Sequence, residues 1–207
     1  MGKQSSNDLP ITTVECRCGG VGFGGKKYLE EQGWNVERGI CRNCLENSKR
    51  LLILSCSARK ADGKGLPALD RYNSPAFFLL RRFLRTNPKP AARLVVWIVS
   101  AKYGLISADQ RIKTYDQAMT PQRLQDLKRN FRSQFSSIYK SSFGKFEPLE
   151  VFCHLPQNYR DAIQTQIDVL GRLAPLKIAA GRPGEKLREL KNWLEEKQEE
   201  YANGSHL

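Results

Sequence analysis

Two groups of residues in this chain have the types and spacing that chemistry requires. The first is four cysteines, Cys16, Cys18, Cys41 and Cys44, in the pattern C-x-C-x22-C-x2-C. Two close pairs of thiolates form a tetrahedral donor set for zinc, and a structural zinc folds a segment that has too little core of its own. The glycine-rich, polar stretch between the pairs is such a segment. A disulfide framework and a redox pair at Cys16 and Cys18 are the competing readings, and a cytosolic setting disfavours the disulfides.

The second group follows two short apolar runs. Leu51–Leu54 ends in Ser55, Cys56, Ser57, Arg59 and Lys60, and Val95–Val99 ends in Ser100, Lys102 and Tyr103. Continuous apolar runs of this length read as strands buried on both faces of a parallel sheet, and ligands bind in the crevice outside the carboxyl ends of such strands. Arg59, Lys60 and Lys102 there can hold an anion, and Lys60 with a lowered pKa can act as a nucleophile. Asp116 with Tyr115 lies close enough after the second run to enter the same crevice, and Asp70 and Tyr72 follow the first. Cleaving an N-glycosidic bond requires a carboxylate, Asp116 or Asp70, and donors to the departing base, Ser57 and Tyr103. The plainer readings are a tight turn at Ser100–Gly104, salt bridges from Asp70 and Asp116 to Arg59 or Lys102, a buried Cys56, and a core or rim position for His154.

The elements that position these groups can be read along the chain. Residues 1–13 read as a disordered leader, 14–49 as the zinc module, and 50–200 as one α/β domain. The stretch ADGKGLPALDRYNSP carries glycines and prolines that argue against regular structure. Pro75 then opens a helix capped by Asn73 or Ser74, with Phe77, Leu80 and Leu84 on one face. TNPKPAA ends it, and LVVWIVSA is the next strand, completing a βαβ unit whose expected hand is right. Thr120 caps a second helix to about Tyr139. LEVFCHL, then Tyr159–Leu170, LKIAA and Gly184–Glu200 supply strand, helix, strand and helix. The expected fold class is α/β, a Rossmann-like, mostly parallel sheet with flanking helices, preceded by a small four-cysteine zinc module.

With 207 residues, 40% hydrophobic and 27% charged, the chain has room for one well-cored domain and an appendage. No run approaches the roughly 18 apolar residues of a membrane span, and the N-terminus lacks the apolar core of a signal peptide, so a cytoplasmic protein without membrane contact is expected. The net charge is +13, and Arg81–Lys145 alone holds fourteen lysines and arginines against three acids. Interleaved with Phe83, Trp97, Tyr103, Tyr115, Phe131, Phe135 and Tyr139, this segment has the composition of a polyanion site. Arg81, Arg82, Arg85, Arg129 and Arg132 are its expected nucleic-acid contacts; a solvated basic face is the alternative.

The set SCSARK, LPALDRYNSPAF, VSAKYGLI, YDQAM and PLKIAAGRPGEKLRELKNWL, spanning residues 51–194, resembles a bacterial family related to the YaaA peroxide-stress proteins. Its first and third motifs are also similar to the uracil-DNA-glycosylase-like domain of archaeosine synthase, whose proline-cysteine pair precedes a lysine; Cys56 and Lys60 stand in place of the last two, with Ser55 in place of the proline. The resemblance implies a nucleobase pocket, and the strand-end placement makes Ser55, Cys56, Ser57, Arg59, Tyr72, Ser100, Tyr115 and His154 its expected contacts, with Lys60, Lys102, Tyr103, Asp70 and Asp116 for chemistry. The expected function is a nucleic-acid-binding protein, DNA ahead of RNA, that acts on a nucleobase as a glycosylase-like hydrolase or base-modifying enzyme. The alternatives are a non-catalytic DNA-binding stress-response protein of the YaaA type and a small-molecule nucleotide enzyme. The sequence does not reveal an oligomeric state.

Overall fold

A computed structural model describes residues 11–196, which fall in two compact units divided between Ser48 and Lys49. Positions 1–10 of the expected leader, the end of the expected closing helix and the tail lie outside the described residues. The first unit begins earlier than the sequence implies, because Thr12 and Thr13 already belong to strand β1 (Thr12–Glu15), which pairs antiparallel with β2 (Val21–Gly24). Helices α1 (Lys26–Glu31) and α2 (Arg42–Asn47) follow. Leu29 is the buried apolar centre, and a Cβ at Gly22 would come within 2.8 Å of the Trp34 ring, so glycine is required where the hairpin meets that ring.

The second unit runs β3 (Arg50–Ser55), β4 (Leu66–Pro67), α3 (Ala68–Arg71), α4 (Pro75–Thr86), α5 (Pro88–Ala92), β5 (Leu94–Ser100), β6 (Gly104–Ser107), β7 (Arg111–Ile112), α6 (Pro121–Phe143), β8 (Val151–His154), α7 (Gln157–Ala162), α8 (Gln164–Leu173), β9 (Leu176–Ile178) and α9 (Pro183–Glu195). Five strands form one sheet in the order β6-β5-β3-β8-β9, parallel except for β6. The centre of β3 is apolar throughout because both faces are covered. Leu52 and Leu54 join Phe77 and Leu80 of α4 and Leu190 and Trp193 of α9, while Leu51 and Ile53 join Leu127 and Phe131 of α6 and Ile167 of α8. Each such leucine or isoleucine contributes about 1.5–3 kcal/mol. The registers Ser55 with Val99 and Leu54 with His154 bring three strand ends to one level.

Four expectations change. The glycine- and proline-bearing stretch after β3 holds β4 and α3, with Leu66 paired to Ile112 of β7. Its organiser is Arg71, fully buried, which donates to the carbonyls of Ala61, Gly63 (2.6 Å) and Ile112 (3.3 Å). The proline-rich stretch after α4 is helical, since Pro88 stands at the first helical position, where no N–H is needed. The third expected helix is two, meeting at Ile163.

Finally, the run VVWIVSAKYGLI is two antiparallel strands around the turn that the plainer reading of Ser100–Gly104 anticipated. α6 clamps that turn. Its capping residue Thr120 accepts from the N–H of Arg123 (3.2 Å), and Arg123 donates to the carbonyls of Ala101 (2.7 Å) and Lys102 (2.6 Å). Gln134 donates to the Tyr103 carbonyl (2.9 Å) and accepts from the Leu105 N–H (3.0 Å). Gly104 has φ +77°, and a Cβ there would lie 2.2 Å from the Gln134 Oε1. Gly104→Ala is therefore expected to cost about 1–3 kcal/mol, read as a lower melting temperature; an unchanged transition would show that the turn does not depend on this clamp.

Candidate functional site

The loop after β3 is held against the end of α3. The Cys56 N–H still pairs with Val99 (2.9 Å), after which Asn73 N–H donates to the Arg59 carbonyl (3.0 Å) and Ala61 N–H to the Arg71 carbonyl (2.7 Å). Ser57 Oγ donates to the Arg59 carbonyl and accepts from the Asn73 N–H (2.9 Å). Lys60 and Tyr72 form an isolated bridge. Arg81 completes the clamp from α4, donating to Leu69 (2.7 Å) and Tyr72 (2.9 Å) carbonyls and to Asn73 Oδ1 (3.2 Å).

Beneath this loop three hydroxyls close a triangle. Tyr72 Oη lies 2.7 Å from Tyr115 Oη, Tyr72 donates to Ser100 Oγ at 3.2 Å, and Ser100 Oγ lies 2.8 Å from Tyr115 Oη. Ser100 Oγ also accepts from the N–H groups of Lys102 (3.2 Å) and Tyr103 (3.1 Å). Burial pushes the Tyr72 phenol up to about 12, against its hydrogen bonds with Ser100 and Tyr115, which pull it down. Burial, then the nearby Cys56, raises Tyr115 further. Both phenols stay neutral and brace the site, and neither is a base. Tyr72 and Ser100, expected as substrate contacts, are fully buried.

The Tyr115 ring is the floor on which the cations meet. Lys60 Nζ lies 4.3 Å and Lys102 Nζ 5.6 Å from its centroid, and the Tyr103 ring meets it edge-on at 5.4 Å. Neither lysine forms an ion pair among the described residues. Cys56 Sγ lies 3.2 Å from the hydroxyl of Tyr159, a residue of α7 that sequence reading used only to mark a helix. Tyr159 is pushed up by burial, then by Cys56. At the end of β8, His154 Nε2 is buried with no partner among the described residues. Burial, helped by the Lys186 cation, lowers its pKa against the pull of its own backbone and of Glu189.

Other expected site residues are placed differently. Asp116 is exposed beside Tyr115, Asp70 is exposed on α3, and neither forms a hydrogen bond or salt bridge among the described residues, so the expected pairs with Arg59 and Lys102 do not form. Ser57 spends its proton on the loop carbonyl and is unavailable as a donor to a base. Arg59 is exposed at the rim.

The expected basic strip is also divided. Arg81 is turned inward, Arg82 and Arg85 are exposed on α4, and Arg129 and Arg132 are exposed on α6 across the sheet, with Arg129 paired to Asp126 at 3.0 Å. Phe83, Trp97 and Phe131 are core residues that offer no stacking face, and Phe135 and Tyr139, partly buried, pack edge-on with Trp97.

In the first unit the four cysteines gather as the spacing implied. Their sulfurs all lie within 4.8 Å of one another, with Cys18 and Cys41 at 3.5 Å. A tetrahedral set at about 2.3 Å from a metal has sulfurs about 3.8 Å apart, so the cluster can hold a metal ion. The first pair sits on a knuckle in which Cys16 N–H donates to Gly20 (2.7 Å) and Gly19 N–H to Cys16 (2.8 Å), with Gly19 at φ +89°. Cys41 caps α2 and Cys44 lies in its first turn. Burial works against the Cys16 thiolate, but N–H groups of Cys41 and Cys18 bring its pKa down to about 7. Burial raises Cys41 and Cys44, and neighbouring thiols add to the rise at Cys44. Four thiolates at this spacing require a cation.

Together these features define an α/β protein with a cationic, tyrosine-floored candidate site at the ends of its parallel strands and, before it in the chain, a four-cysteine cluster able to hold a metal ion. The family of unknown function DUF6884 matches residues 51–192, and the chain belongs to that family. The match begins at β3 and leaves the cysteine unit outside. No curated protein and no solved structure matches the chain. No helix among the described residues is long and apolar enough to cross a membrane.

Two outcomes are expected. Purified protein carries one metal ion per chain by elemental analysis, and Cys41→Ser loses it and melts the first unit. Because the folded His154 pKa lies below its unfolded value of about 6.5, the unfolded state takes up the proton first as pH falls. Stability therefore declines from about pH 6.5 downward; His154→Gln flattens that part of a melting-temperature profile, and a parallel profile would remove His154 from the account.

Proposed function

We propose that this protein binds nucleic acid and acts on a nucleobase at the strand-end site, with zinc as a structural metal in the cysteine unit and the reducing cytoplasm as its compartment. The observation that carries this reading is the approach of Lys60 and Lys102, without acidic partners, to the one buried ring of Tyr115. Ammonium groups without an acidic partner at the carboxyl edge of a parallel sheet, Lys60 held only by the Ala58 carbonyl (3.3 Å), favour an anionic ligand, and the phosphate of a nucleotide supplies it. Lys102 is then the donor to the base, and the Tyr103 hydroxyl, which donates to the Lys113 carbonyl (3.4 Å), joins it on release of that bond. Asp116, next in the chain to the Tyr115 floor, is the carboxylate that takes the proton of the attacking water while the bond from sugar to base breaks. Tyr72, Ser100 and Arg81 hold these groups in place without touching the reacting atoms.

The test is incubation of metal-loaded protein with modified and unmodified DNA and RNA, followed by mass spectrometry for free bases and altered nucleosides. Asp116→Asn is expected to reduce base release at least about 100-fold while retaining nucleic-acid affinity, and Lys60→Ala with Lys102→Ala to weaken binding as well. A product from Asp116→Asn equal to that of the unchanged protein would sink the role of Asp116. The exposure of Asp116 and its lack of any hydrogen bond favour a second reading, a DNA-binding protein without turnover. That reading expects no product from any substrate, with salt-sensitive binding retained.

A further inference from the structure

Helix α4 buries Ala76, Phe77, Leu80 and Phe83 on its inner side. Phe78, Arg82 and Arg85 share its outer side, within about 60° of arc and about 10 Å along the axis. Phe78 is 57% exposed, and among the described residues of the second unit it is the one exposed large apolar side chain. The Arg81 guanidinium lies 4.9 Å from its ring centroid and also donates to the Tyr72 carbonyl and to Asn73, so the ring adjoins the loop that carries Lys60. Arg82, Arg85 and Lys89 of α5 are exposed, and none of these three side chains forms a hydrogen bond or ion pair among the described residues. Glu195 of α9 shares a small pocket with Arg82, but its carboxylate is paired with Lys191 at 3.9 Å. Residues 71–108 hold seven lysines and arginines and no acid, whereas residues 1–48 balance six against six. The net charge is therefore carried by the second unit. Of its two exposed arginine faces, α6 already commits Arg129 to Asp126, and α4 commits none.

We infer that the outer face of α4 holds a single nucleic-acid strand, with phosphates on Arg82, Arg85 and Lys89 and an unpaired base stacked on Phe78. Each phosphate contact releases counterions, and every base has a face to stack, so an exposed ring among cations without acidic partners suits a strand of either sequence. The inference rests on the nucleic-acid reading of this protein and adds the face that binds the strand. Arg81, bonded to the site loop and lying over Phe78, puts that strand next to the strand-end site.

Fluorescence anisotropy with a labelled 20-nucleotide single strand tests it, using the full chain with its metal. Phe78→Ala is expected to weaken binding at least about fivefold with the salt dependence unchanged, because no charge is lost, and Phe78→Trp to retain it. Arg82→Gln with Arg85→Gln weakens binding and lowers the slope of log affinity against log salt by about 1.4. Affinity within about twofold of the unchanged protein for both Phe78→Ala and the α4 arginine pair overturns the inference, as does a larger loss from Arg129→Gln with Arg132→Gln on α6. Base release is followed on the same samples. If the α4 variants weaken binding while the unchanged protein alters no base, the α4 face stands and the base-acting reading fails. If bases are altered and the α4 variants bind as the unchanged protein does, that reading stands and the α4 face falls. No binding by the unchanged protein overturns both.

Discussion

The contact among the hydroxyls of Tyr72, Ser100 and Tyr115 is the interaction on which the candidate site depends. It joins three pieces of chain that share no local structure: the exit of α3, the end of β5 and the segment before α6. Each oxygen is buried, so losing one partner leaves the others unsatisfied at about 1–3 kcal/mol each. The same triangle seats the Tyr115 ring, and the ring seats both lysines. A cation against an aromatic face gains about 0.5–2 kcal/mol, which offsets part of the cost of holding Lys60 and Lys102 near each other without an acid. An incoming anion would relieve the remainder.

Much of the positive charge in this chain is spent internally. Arg71 and Arg81 tie the loop after β3 to α3 and α4, and Arg123 ties the β5–β6 turn to α6. Arg50, almost wholly buried, pairs with Glu150 at 2.5 Å and stacks 3.7 Å from the Trp193 ring. A guanidinium reaches several carbonyls at once with fixed geometry, which lysine does not. Arginines therefore fasten irregular segments here in place of hydrophobic packing, and net charge overstates what the surface presents. Of the arginines expected to meet nucleic acid, those left exposed are divided between the α4 and α6 faces.

The cysteine unit follows a different economy. It has a short hairpin, two one-and-a-half-turn helices and little buried apolar area beyond Leu29. A cation at the four thiols would supply the cross-link that such a core lacks. The family match starts only at β3, so the α/β unit and the cysteine unit are separable in sequence as well as in compactness.

Much of the architecture was legible in the sequence because it depends on local pattern. Continuous apolar runs named β3 and β5 as doubly covered strands, cysteine spacing named the metal set, and Thr120-Pro121 named the start of α6. The strand-end level at which Ser55, Ser100 and His154 meet followed from where those runs stop. What the sequence could not decide was which polar groups meet across the fold. That Arg71 and Arg81 point inward, that Ser100 and Tyr72 lie beneath the site, that Tyr159 reaches Cys56, and that the basic segment divides across the sheet are all set by contacts between residues distant in sequence. A side chain's type is local information, but its partner and its exposure are decided only when the sheet order and the helix faces are settled, because burial and hydrogen-bond satisfaction are properties of the packed whole.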